Sequence, residues 1–181
     1  MIDTGLNFEV PTKENVSSNN RELLEGMEYK LGFIPNIYAT YAYSENALSR
    51  YMNFTSGKTS LGNKEKEVVN LVVSQVNGCT YCQAAHTAAG KSLGFSEDQI
   101  IEIRKGVASF DEKLDALAKL TRAIIENRGK IKEDALQKFF EQGYNKENLV
   151  DLILAIGDKT MTNMLHNVTG IPLDFPEAPE L

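Results

Sequence analysis

The sequence predicts an all-α fold, a single-domain helical bundle, and three observations carry that prediction. The five prolines are Pro11, Pro35, Pro172, Pro176 and Pro179, so the stretch from Asn36 to Ile171 contains none, although helix interiors exclude proline more strongly than any other residue. Few stretches alternate apolar and polar side chains with period two, the pattern of a half-buried strand. Apolar residues recur instead at helical spacing, as in Val68, Leu71, Val72 and Val76, and again in Leu114, Leu117, Ala118, Ile124 and Ile125.

Each helix has its own signals. Residues 1–19 lack periodicity and read as an N-terminal arm. Residues 20–31 form a short helix ending at Gly32, and Pro35 breaks the chain before a helix that starts near Asn36. Ser44 reads as the cap of a helix over 45–58, and Asn63 as the cap of the next, which Asn77-Gly78 stops. A further helix runs from the cysteines to about Leu93, with Gly94 as its stop. Ser96-Glu97-Asp98-Gln99 is a capping box for a helix to about Lys105. Asp111 opens a longer helix that Gly129 closes, residues 133–142 make a short one, and Asn145 caps the last, which reaches about Thr169. The division expected is therefore arm 1–19, helical domain 20–171 and a loose tail 172–181. A weak echo between NKEKEVVNLVV (63–73) and NKENLVDLILA (145–155) suggests a duplicated helical unit.

Composition excludes several classes of function. The 181 residues are 42% hydrophobic and 24% charged, which is ordinary globular material. Nineteen basic against twenty-five acidic residues give a net charge of -6, and the pI is near 5.0, so no nucleic-acid partner is expected. No apolar run approaches the roughly 20 residues of a membrane span, and Met1-Ile2-Asp3-Thr4 does not open like a signal peptide. The expectation is a soluble, cytoplasmic protein with no membrane partner.

The chemistry concentrates between Glu67 and His86. The two cysteines of the chain, Cys79 and Cys82, are separated by Thr80-Tyr81. A C-x-x-C pair in a chain read as intracellular points to redox or metal chemistry more than to a structural staple. Cys79 follows Asn77-Gly78 and falls at a helix start, where free amides and the positive dipole end favour a thiolate. Cys82 is about one turn on, so the two sulfurs share a side and can form a disulfide with little movement. His86, four residues beyond Cys82, lies on the same face and can take the Cys82 proton. Glu67 on the preceding helix can reach His86 on an antiparallel return, fixing its tautomer and raising its basicity. A specific base outweighs part of a dipole worth roughly 0.3–1 kcal/mol, so Cys82 is the favoured nucleophile.

Rival readings of the same residues exist. Cys79, Cys82 and His86 could bind zinc, with His166 or a carboxylate as the fourth ligand. A c-type haem is excluded because Gln83 follows Cys82, and no βαβ pattern surrounds the motif as a thioredoxin fold requires. Glu65 competes with Glu67 for the relay, both residues also fitting the ordinary acidic first turn of a helix. His166 reads as a polar group on the last helix, the cluster Tyr38, Tyr41 and Tyr43 as core or subunit contact, and Lys130-Ile131-Lys132 as a solvated face.

Glu67, the apolar run Val68 to Val76, Asn77-Gly78-Cys79, Tyr81-Cys82 and His86 together resemble the signature of the alkylhydroperoxidase D-like proteins of the carboxymuconolactone decarboxylase family. Leu31-Gly32-Phe33-Ile34-Pro35-Asn36 resembles the entry segment of its peroxidase-related branch. The resemblance implies an all-α fold, a homo-oligomer (trimer or hexamer), and thiol peroxidase or disulfide oxidoreductase activity. It implies a hydroperoxide substrate and an external dithiol reductant, lipoyl or thioredoxin-like, with no cofactor and no resident metal. Carried across, Cys82 is the peroxide-attacking thiol, Cys79 the resolving thiol, and His86 with Glu67 the relay. Tyr81 departs from relatives that carry a second histidine between the cysteines. The decarboxylase members lack the cysteine pair, which argues against lactone decarboxylation. The alternative to an enzyme is a redox-responsive or zinc-binding helical oligomer.

Overall fold

A computed structural model describes residues 8–181; residues 1–7 of the expected arm lie outside the described residues. The described residues are helical throughout and contain no strand. In chain order the α-helices are α1 (Ser18–Leu31), α2 (Asn36–Tyr41), α3 (Ala47–Thr55), α4 (Asn63–Val76), α5 (Thr80–Ser92), α6 (Glu97–Arg104), α7 (Glu112–Glu126), α8 (Glu133–Glu141) and α9 (Lys146–Thr169). A 3-10 turn, Lys13–Asn15, precedes them inside what the sequence reads as arm. No helix among the described residues is long and apolar enough to cross a membrane.

Most boundaries follow the local signals. Ser96 accepts from the Gln99 amide while the Gln99 side chain accepts from the Ser96 amide, the expected reciprocal box. Asp111 caps α7 through the Lys113 and Leu114 amides, and Asn145 and Asn148 cap α9 reciprocally. Two expected caps move. The residue preceding α4 is Gly62, with Asn63 already helical, and Glu65 reaches back to the Gly62 amide. Asn46, rather than Ser44, precedes α3. In each case the residue named from sequence is a good cap chemically, but helix entry is set by where the backbone leaves the extended region.

The contacts divide the chain into two compact units. The first runs to Lys58 and takes in residues 168–174. Its core packs Leu24, Met27, Ala42 and Leu48, with Val16, Tyr38 and Tyr41 against them. Of the tyrosine cluster, Tyr38 and Tyr41 pack against this core, Tyr41 stacking on Tyr51 with ring centroids 4.6 Å apart, while Tyr43 is exposed. Asp174 accepts a hydrogen bond from the Asn36 amide.

The second unit, residues 59–167 and 175–181, holds the larger core and every residue of the expected site. Val68, Val69, Leu71, Val72 and Val73 of α4 are fully buried against Leu117, Ala118 and Leu120 of α7 and Ile100 and Ile103 of α6. Each such valine, leucine or isoleucine contributes about 1.5–3 kcal/mol relative to leaving it in water. α5 returns along α4 closely enough that a Cβ at Gly90 would meet Ile100 at 3.3 Å and Leu71 at 3.7 Å. The tail expected to be loose is anchored. Arg104 donates to the Pro179 carbonyl, and the Phe175 ring meets Tyr81 edge to face at 5.8 Å. The Pro179 carbonyl joins the Gln75 and Gln83 side chains in satisfying a buried guanidinium that apolar neighbours could not, a partnership invisible to local periodicity.

Candidate active site

α4 and α5 build the site as an antiparallel pair joined by a tight turn. Gly78 sits at φ +66°, the left-handed conformation that favours glycine. The turn sets Cys79 as the N-cap of α5, one position earlier than the first helical turn. Its Sγ accepts from the Cys82 amide at 3.1 Å, so the sulfur itself satisfies one of the free amides of the helix start. Cys79 and Cys82 are joined as a disulfide with Cα atoms 5.3 Å apart. The two residues are 0% and 3% exposed, so the pair is held in a dry setting where local charge acts strongly.

One helical turn past Cys82, His86 meets the carboxylate expected to orient it. Its Nδ1 lies 2.6 Å from Glu67 Oε1, and Glu67 Oε2 accepts from the Asn70 side chain at 3.3 Å. With the carboxylate accepting, the Nδ1 proton is fixed in place and the lone pair falls on Nε2, the nitrogen a base uses. Burial pushes the His86 pKa below the ordinary imidazole value, and the charge of Lys159 pushes it the same way, while Glu67 pulls it up. The net direction is down, which keeps the ring neutral and so open to accept a proton.

The competing carboxylate is elsewhere. Glu65 accepts from the Gly62 amide at 2.7 Å and pairs with Lys113 at 3.0 Å. Burial raises its pKa, but the Gly62 amide, Lys113 and Tyr144 outweigh that and hold it below the ordinary carboxylate value. Two residues of helix separate the glutamates by about 200°, so the antiparallel return of α5 can meet one of them and not both.

A third helix completes the site. Leu152, Ile156, Lys159, Asn163 and His166 recur on α9 at steps of four and three residues, and all five are buried. Asn163 donates to Ser74 Oγ at 3.3 Å and accepts from the Asn77 side chain at 3.0 Å. Asn167 donates to the Asn77 carbonyl at 2.8 Å, next to the cysteine turn. The His166 ring lies 5.5 Å from that of Tyr81, so the residue between the cysteines packs on the last helix. Gln83 is held from two sides, donating to the Ser74 carbonyl and accepting from Arg104.

The structure thus brings together Cys79, Cys82, His86 and Glu67, and gives His166 a packing role beside Tyr81. Among the described residues, no group of three or more His, Cys, Asp and Glu side chains is arranged to hold a metal ion. The residue that sequence reasoning missed is Lys159. Its signal was present: a lysine at a position that helical spacing gives to the core, flanked by Ile156 and Asn163.

Part of the chain is similar to a known family. Residues 43–124 match the model of the Carboxymuconolactone decarboxylase family. The protein's fold is that of an uncharacterized peroxidase-related protein from Ralstonia eutropha JMP134, an alkylhydroperoxidase core structure, with a TM-score of 0.83 at 18% identity over 93% of this chain and 92% of that one. It is equally that of an uncharacterized peroxidase-related protein from Silicibacter sp. TM1040, with a TM-score of 0.80 at 22% identity over 95% and 92% of the two chains. A Bacillus subtilis (strain 168) protein, the uncharacterized YdfG, is 25% identical over 115 residues, 62% of this chain and 78% of its own. The chain has the alkylhydroperoxidase-like fold, and its residues 43–124 are similar to the carboxymuconolactone decarboxylase family.

Proposed function

We propose that this protein is a thiol-dependent hydroperoxidase and disulfide oxidoreductase working in the cytoplasm. The observation that carries the reading is the carboxylate-oriented His86, 2.6 Å from Glu67 on one side and one turn from Cys82 on its own helix. In the reduced protein, His86 takes the Cys82 proton. The Cys82 thiolate attacks the terminal oxygen of a hydroperoxide, the O–O bond breaks, and the alkoxide takes a proton and leaves as alcohol. The Cys79 thiol then attacks the Cys82 sulfenic sulfur, the S–O bond breaks, and the departing hydroxide takes the thiol proton and leaves as water, forming the disulfide. An external dithiol, lipoyl or thioredoxin-like, restores both thiols by exchange, which requires a reducing compartment. The apolar surroundings, Val72 and Val76 among them, suit an organic hydroperoxide.

The same reading includes a homo-oligomer. Val150, Leu154, Met161 and Met164 stand exposed on α9, and with Gly157 they recur at steps of four and three residues. That period of 3.5 is the one on which two identical helices mesh, so a second copy of this chain is the occupant it fits. A Cβ at Gly157 would meet nothing within 4 Å, which leaves room for a close helix approach.

The test is to titrate reduced, metal-free protein with one equivalent of an organic hydroperoxide while following free thiols and intact mass. Both thiols should be lost rapidly, with sulfenic acid trapped in Cys79→Ser and absent from Cys82→Ser. Full peroxidase turnover by Cys82→Ser would overturn the assignment.

A further inference from the structure

Lys159 is 8% exposed, and among the described residues its ammonium has neither an ion pair nor a hydrogen bond. Burying a lysine is costly, and the usual remedy is a close carboxylate partner. The register of α9 shows what it faces instead. At one end Asn148 and Asp151 bond to Ser60 just ahead of α4. At the other, Asn163 and Asn167 bond to Ser74 and Asn77 at its end. α9 therefore runs parallel to α4, and Lys159, one turn before Asn163, comes alongside the middle of α4. Glu67 lies about two turns before Ser74, where α5 returns with His86.

We propose that Lys159 is a positioning residue of this site, its buried ammonium offsetting the Glu67 carboxylate so that His86 stays unprotonated and free to accept the Cys82 proton. The inference rests on the hydroperoxidase reading above. It follows from charge balance in a dry site. Of the charged groups here only Glu67 and Lys159 are buried, Asp158 being half-exposed, so the ammonium offsets the carboxylate when the imidazole is neutral. Without Lys159, the same carboxylate would draw a proton onto His86, and the base would be occupied before any thiol needed it. When the reduced pair moves one proton from Cys82 to His86, a thiolate and an imidazolium appear together and the balance is kept. The charged and titratable groups acting on Lys159 are Glu67 of α4, His86 of α5 and its own neighbour Asp158. Burial lowers the Lys159 pKa, while Asp158 and Glu67 raise it.

The test separates this role from peroxidase turnover. The chain has two histidines, so His86 can be followed by NMR titration of the imidazole ring, with His166→Gln used for assignment. In the oxidised protein Lys159→Met should raise the His86 titration midpoint by about one unit, a tenfold change in proton affinity, and Lys159→Arg should leave it near wild type. In the reduced Cys79→Ser background, the acid limb of Cys82 alkylation by iodoacetamide should move to higher pH in the same variant and be restored by arginine. Lys159→Gln carries the same test if the methionine variant does not fold. An unmoved His86 midpoint in the neutral variant, or an arginine variant that behaves like methionine, would overturn the proposal. Neither readout needs hydroperoxide, so a protein inert to peroxide could still show the shift.

Discussion

Replacing Glu67 by glutamine changes one charge and almost no volume, so it isolates what the carboxylate does for His86. The contact is 2.6 Å between side chains that are 9% and 16% exposed, short and dry enough for the bond to the charged form to count. A hydrogen bond to a charged group is worth about 1.5–3 kcal/mol, against about 0.5–1.5 kcal/mol for a neutral pair. The amide therefore loses about 1–2 kcal/mol of support for the imidazolium, and each 1.36 kcal/mol is roughly one pKa unit. Loss of the carboxylate also removes the countercharge that raises Lys159, which acts in the same direction by leaving the site more positive. The expected result is a roughly tenfold slower loss of thiols to an organic hydroperoxide near neutral pH. The deficit should shrink above about pH 8.5, where a thiol ionises without help. The assay is stopped-flow thiol loss in reduced wild type and Glu67→Gln across pH 5 to 9, with a melting curve to show that both fold alike. Rates within twofold of each other at every pH would refute the relay.

Two further outcomes follow from burial and exposure. Burial lowers the His86 pKa below its unfolded value of about 6.5, so the unfolded chain binds a proton that the native protein resists. The stability due to the neutral ring is fully present above about pH 6.5 and is lost as pH falls through the folded value. Thermal melts should show this loss in wild type and much less of it in His86→Gln, and identical pH dependence in the two proteins would contradict it. On α9, Leu154→Glu together with Met164→Glu places charge in the exposed apolar row, and light scattering should report a smaller assembly than wild type. An unchanged mass would remove that row from any subunit contact.

The sequence by itself determined the helices and the residues of the candidate site. The proline-free stretch, the Ser96, Asp111 and Asn145 caps and the glycine stops act within a few residues of chain, so their effects are readable where they stand. The pairing of Cys79 with Cys82 and the reach of His86 toward Cys82 are also local, each within about one turn of one helix. The choice of Glu67 over Glu65 needed the return of α5 along α4, since both glutamates suit a helix start. Lys159 needed more: its role depends on the register of α9 beside α4, set by Asn148, Asp151, Asn163 and Asn167 across some ninety residues of sequence. The tail was misjudged as loose for the same reason, because Arg104 and Tyr81 hold it from distant helices. Periodicity states which face of a helix is buried, while the partner on that face, and hence the charge balance of the site, exists only once the helices have packed.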